Sequence, residues 1–148
     1  MSGNSFAAFT GYSSRFSYFR CMILSCLYID DAGDKGRGVF TSEALAKGTI
    51  LEISPVLVLS PEERKAVEET KLYHYVFEWG DDYKSACVAW GYVSMYNHSY
   101  NANCLYEMDY ENSTMTIKTV KAVKKGAQLF VNYNAVPDDQ TKVWFDTK

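Results

Sequence analysis

From Leu24 to Tyr133 the chain is written in short β-prone runs broken by turn residues, and that rhythm restricts its fold more than any other feature. Val39-Phe40, Ile50 to Ile53, Val56 to Leu59 and Gln128 to Tyr133 read as strands, with Gly48 and Pro55 setting turns among the early ones. Tyr75 to Trp79 is another, closed by the polar Gly80-Asp81-Asp82. Asn103 to Tyr110 and Ser113 to Val120 flank Glu111-Asn112 as a hairpin, in which Met115, Ile117 and Thr119 share one face by period two. Helix grammar is confined to Ser60-Pro61-Glu62-Glu63: a serine N-cap, a proline at the first helical position and a capping-box glutamate, predicting a helix to about Leu72. The expected architecture is mainly β with one or two short helices.

One internal echo sits in this text. Ala44 to Leu51 and Ala122 to Leu129 share a Lys-Gly turn with similar flanks, but eight residues do not establish a repeat, and common turn chemistry explains the match. The 148 residues suit one domain, expected over residues 22–148 and ending in a short lid segment. Residues 1–21, rich in Ser, Phe and Tyr, are expected as a flexible N-terminal extension.

Fifteen basic against 18 acidic residues give a net charge of −3, which disfavours direct nucleic-acid binding through phosphates. Acidic pairs such as Asp30-Asp31, Asp81-Asp82 and Asp138-Asp139 would instead favour a basic peptide. No apolar run is long enough to span a membrane. Cys21, Cys26, Cys87 and Cys104 lack metal-ligand spacing, so no metal is expected, and the absence of a disulfide framework favours an intracellular, cytoplasmic setting. Organelle or nuclear targeting stays open, as does a homodimer.

Against this background three polar segments stand out: Lys35-Gly36-Arg37-Gly38, Asn97-His98-Ser99-Tyr100-Asn101-Ala102-Asn103-Cys104, and Asn132-Tyr133 at a strand end. Amides, an imidazole and a phenol set among apolar residues must find hydrogen-bond partners or cost free energy. In order and spacing the three segments resemble the motifs of SET-domain protein lysine methyltransferases, over Leu24 to about Tyr133. The resemblance implies a SET β-clip fold with a C-terminal pseudoknot. It also implies S-adenosylmethionine as cofactor and a lysine-containing protein substrate.

By the same resemblance Tyr133 is the catalytic tyrosine and borders the cofactor. Lys35, Gly36, Arg37, Asn97 and His98 hold that cofactor, and Trp144 and Phe145 form an aromatic lid over it. Tyr75, Phe77, Tyr92 and Val131 belong to the lysine channel; Val131, two residues before Tyr133, stands where relatives commonly carry Phe or Tyr. Two departures matter. Tyr100 replaces the cysteine with which many histone-modifying relatives bind zinc, and Ala102 replaces a usual proline, so the chain resembles the compact bacterial and viral members that lack a cysteine-rich segment behind the domain. A non-catalytic module that binds a basic peptide, or a methyltransferase of a small-molecule amine, would share these residues.

Overall fold

The computed structural model describes residues 20–143. Its strands are β1 (Met22–Ile23), β2 (Leu27–Asp31), β3 (Arg37–Thr41), β4 (Ile50–Leu59), β5 (Val76–Trp79), β6 (Ser85–Ala89), β7 (Asn97–His98), β8 (Cys104–Asp109), β9 (Thr114–Thr119) and β10 (Gln128–Val131), with one helix, α1 (Pro61–Glu68). Two sheets result. One runs β5-β6-β4-β9-β8 with β1 added to β4, and the other runs β2-β3-β10-β7. Among the described residues no helix is long and apolar enough to cross a membrane.

The hairpin forms as its alternation requires: Met115, Ile117 and Thr119 are buried together, and β8 pairs with β9 from Cys104↔Thr119 to Asp109↔Thr114. The capping box at Ser60 is present in both directions, Glu63 N–H to Ser60 Oγ and Ser60 N–H to the Glu63 carboxylate. The helix nonetheless stops at Glu68 rather than near Leu72. Thr70 takes an extended backbone and accepts from Leu72 N–H, capping a separate 3-10 turn, Lys71–Tyr75, so a second cap competes with helix growth. Tyr75 therefore ends a turn instead of opening β5.

Pro55 does not divide two strands either. β4 runs straight through it, pairing with β9 as far as Pro55 and with β6 from Val56 onward. The residue without an N–H sits where the strand changes partners, the place in a sheet where its missing donor matters least.

The echo is more than turn chemistry. Leu45 and Val123 exchange both backbone hydrogen bonds (2.8 and 2.9 Å). Gly48 N–H donates to Thr119 O (2.9 Å) as Gly126 N–H does to Thr41 O (2.7 Å), and Thr119 N–H donates to Thr49 O (3.0 Å) as Thr41 N–H does to Ala127 O (3.2 Å). Segments 41–51 and 119–129 are thus related by an approximate twofold, with Leu51 and Leu129 both in the core.

Past β10 the chain is drawn against the Asn-His segment. β10 pairs in parallel with β7, Phe130↔Asn97 and Val131↔His98. Buried Asn132 donates to the carbonyls of Pro137 (3.4 Å) and Asp139 (2.7 Å), while Gln140 and Val143 bond to Tyr100. The tail is thus tied down against the Asn-His segment, where the sequence reading expects it.

Candidate active site

Tyr133 lies two residues beyond β10 and is fixed at both ends. Its backbone N–H donates to His98 Nδ1 (3.2 Å), and its phenol donates to the main-chain carbonyl of Tyr96 (3.1 Å). Burial first, then the Lys35 ammonium, lowers the His98 pKa, so the imidazole stays neutral near pH 7 and can accept at Nδ1. Burial and then Tyr75 push the Tyr133 phenol above its ordinary 10, which keeps it protonated. A phenol that donates to a carbonyl can also accept, so the site offers an orienting group without charge.

On one side of Tyr133 the polar motifs converge. Asn97 Nδ2 donates to the Arg37 carbonyl (3.2 Å), which makes its oxygen the end suited to a ligand ammonium. Lys35 Nζ lies 3.4 Å from the His98 carbonyl. Gly36 has φ 72° with nothing within 4 Å of where a Cβ would stand, and its own N–H and carbonyl are held within the turn, to Gly33 O (2.9 Å) and from Ala32 N–H (2.6 Å). Gly38 is the reverse: a Cβ there would collide with Gln128 Nε2 and stand 2.8 Å from Asn97 Nδ2, so a larger residue would push both amides aside. Lys35, Gly36, Arg37, Asn97 and His98 are therefore brought together beside Tyr133. A lysine ammonium and the amide oxygen of Asn97 fit an amino-acid carboxylate and ammonium, as S-adenosylmethionine carries.

On the other side a cavity of about 660 Å³ opens, lined near Tyr133 by Tyr75, Phe77, Tyr96 and Tyr106 and farther out by Glu68, Glu78 and Tyr110. Phe77 and Tyr106 meet edge to face at 5.5 Å, and Tyr106 OH donates to the Tyr133 carbonyl (3.4 Å). Burial, followed by Glu78, pushes the Tyr106 phenol up to about 12. Tyr75 and Phe77 thus stand in the wall of this cavity. Tyr92 and Val131 stand elsewhere: Tyr92 packs on the core with its N–H on Glu52, and Val131 is buried in the core cluster. The physical reason for Val131 is that β10 ends there, so the period-two rule that would give it the face of Tyr133 no longer applies. Trp144 and Phe145 lie outside the described residues.

Three contributors were not assigned a site role from sequence. Tyr106 shares its strand face with Cys104 and Met108, and that alternation was the available signal. Asn103 clamps β10 with both ends of its amide, to Gln128 O (2.9 Å) and from Phe130 N–H (2.7 Å). Tyr100, in the position of the zinc-binding cysteine of relatives, accepts from Val143 N–H (3.2 Å) and stacks edge-on to His98 at 4.5 Å. Among the described residues no three His, Cys, Asp or Glu side chains converge as metal ligands.

The chain is similar to known proteins. The family model of the SET domain matches residues 36–134. A Schizosaccharomyces pombe protein named histone-lysine N-methyltransferase, H3 lysine-37 specific, is 32% identical over 126 residues, covering 84% of this chain and 80% of its own length. A solved structure of a candidate histone methyltransferase from Plasmodium falciparum superimposes with a TM-score of 0.60 at 26% identity, over 75% of this chain and 95% of that one.

Proposed function

The chain belongs to the SET-domain family of protein lysine methyltransferases, and from that premise we propose that it transfers a methyl group from S-adenosylmethionine to a lysine amine under the orientation of Tyr133. The observation that carries the reading is the double anchorage of Tyr133, between the Asn97–His98 segment and the inner end of an aromatic cavity. Bound S-adenosylmethionine would supply a methyl group on a cationic sulfur. Lys35, Gly36, Arg37, Asn97 and His98 are the residues that would hold it.

The rest is the work of this chain. In-line displacement at carbon needs alignment more than acid or base strength. The incoming amine must be neutral, and a free lysine ammonium has a pKa of about 10.4, so the aromatic wall of Tyr75, Phe77 and Tyr106 assists by desolvating it. Tyr133, held protonated by burial, orients the amine and does not serve as its base.

The yeast relative makes a histone H3 peptide the first substrate to test, and that substrate would place the activity in the nucleus. Calorimetry with S-adenosylmethionine should show binding by the purified protein, and mass spectrometry should show added methyl groups on H3 or other lysine-rich peptides. Absence of cofactor binding, or transfer to none of a broad lysine peptide panel, would overturn the reading.

A further inference from the structure

We propose that Glu52 is a positioning residue for Tyr133, acting through the backbone of residues 91–96. The kinetic part of this inference rests on the methyl-transfer reading; the geometry does not.

Glu52 is a carboxylate with no exposed surface in the middle of β4. It gets there by an irregularity in the β4–β9 register between Ile50 and Glu52, which puts Leu51 and Glu52 both inside and re-phases the strand so that Ser54 follows Glu52 inward. Such a side chain must be matched by donors. Oε1 accepts from Tyr92 N–H (2.7 Å) and Ser54 Oγ (2.6 Å), and Oε2 lies 3.4 Å from the Tyr96 hydroxyl. Gly91, at φ 73°, is shaped around the carboxylate: a Cβ there would overlap Oε1 and stand 2.5 Å from Ser54 Oγ.

Four of the donors and contacts of Glu52 therefore come from one short segment or from its own strand neighbour. That segment carries the 3-10 turn Val93–Met95, whose N-cap residue Tyr92 supplies no side-chain cap of its own. Val93 and the Tyr96 ring sit in the core, and further hydrogen bonds tie the segment to the site. Ser94 Oγ donates to the Tyr75 carbonyl (2.9 Å), the Tyr96 carbonyl receives the Tyr133 phenol (3.1 Å), and Asn97 follows at once with its bond to Arg37. Glu52 is the buried end of this strut, and the Tyr133 hydroxyl is the functional end. Nothing in the mechanism brings the Glu52 carboxylate into contact with substrate, so its effect must travel through Tyr96.

The test is a double-mutant cycle between Glu52→Gln and Tyr133→Phe, read in single-turnover methyl transfer. Glu52→Gln keeps the shape, so the fold survives, but exchanges one acceptor for a donor. It should slow transfer about tenfold in the parent and less than about twofold in Tyr133→Phe, where there is no hydroxyl left to misplace. Peptide KM should move little, and Glu52→Asp should not restore the rate, because the shorter arm cannot reach the same donors. An equal loss in both backgrounds, or no loss in either, overturns the proposal. An activity-independent reading comes from ¹³Cζ-tyrosine NMR, with the Tyr133 resonance assigned by its loss in Tyr133→Phe. Glu52→Gln should shift that resonance, and an unmoved one overturns the coupling even if the enzyme reading itself has failed.

Discussion

Segments 41–51 and 119–129 make the same turn with the same set of backbone hydrogen bonds, yet the strands that leave them are put to different ends. β4 enters the middle of a sheet, runs ten residues and passes a register irregularity that buries Glu52. β10 has four residues, pairs in parallel with the two-residue β7, and releases the chain at Val131 so that Tyr133 stands in the site. One copy supplies a buried support and the other supplies the tyrosine proposed to orient the amine. Local sequence sets the turn; the neighbours each strand meets decide what the residues after it can do.

The sharpest way to break the comparison is to remove the output of the second copy. Tyr133→Phe should lower the single-turnover rate about 100-fold, the scale on which one transition-state hydrogen bond is lost, with cofactor affinity nearly unchanged. Equal rates for variant and parent would take the hydroxyl out of the reaction and leave Tyr133 as packing.

A smaller effect tests whether the turns are equivalent. Gly48 (φ 83°) and Gly126 (φ 78°) both have open space where a Cβ would stand, so replacement costs backbone strain alone. Gly48→Ala and Gly126→Ala should each cost about 1–2 kcal/mol, seen by calorimetry as a fall in Tm of about 3–8 °C. Clearly unequal losses would mean that matching hydrogen bonds do not make matching roles.

The same contrast explains what could be read in advance. Asn97, His98 and Tyr133 stood out as polar groups amid apolar text that need partners, their roles and those of Lys35 and Gly36 came from the resemblance to the family's motifs, and the structure gathers them. The capping box and the 104–119 hairpin were legible from local chemistry. Glu52 was not: period two from Leu51 puts Ile53 inside and Glu52 in water, and only the register irregularity set by β9 reverses that. The continuity of β4 through Pro55 and the early end of β10 were hidden for the same reason, since both depend on which strand lies alongside. The echo was visible as text, but its meaning needed the Leu45–Val123 pairing.

Product multiplicity gives a finer test of where the second copy ends. Because Tyr106 lines the cavity and Val131 is buried in the core instead, Tyr106→Phe should widen the site by one hydroxyl and raise the ratio of dimethyl to monomethyl product about threefold to tenfold in mass spectra. Val131→Tyr should mainly overpack the core, at about 1–3 kcal/mol of stability. A product shift in Val131→Tyr without loss of stability would return that residue to the channel.

The smallest expected effect separates the two copies by their titration. Burial, ahead of the donors Ser54, Tyr92, Tyr96 and Val93 that oppose it, raises the Glu52 pKa above its ordinary 4.5. The folded protein then holds the proton more tightly than the unfolded chain, so the contribution of Glu52 to stability is fully present below 4.5 and is lost as pH rises through the folded value. Glu52→Gln has nothing to titrate there. The Tm of Glu52→Gln minus that of the parent should therefore grow more favourable to the variant as pH climbs from about 4.5 toward neutrality. Tyr133, whose phenol is pushed up from 10, is silent over the same range, so the gap between Tyr133→Phe and the parent should stay flat. A Glu52→Gln gap that narrows with rising pH would mean that the four donors outweigh burial and hold the carboxylate charged. In that case the anchor of the first copy would be an ion held by the 91–96 segment more firmly than its burial suggests, and the strut to Tyr133 correspondingly stiffer.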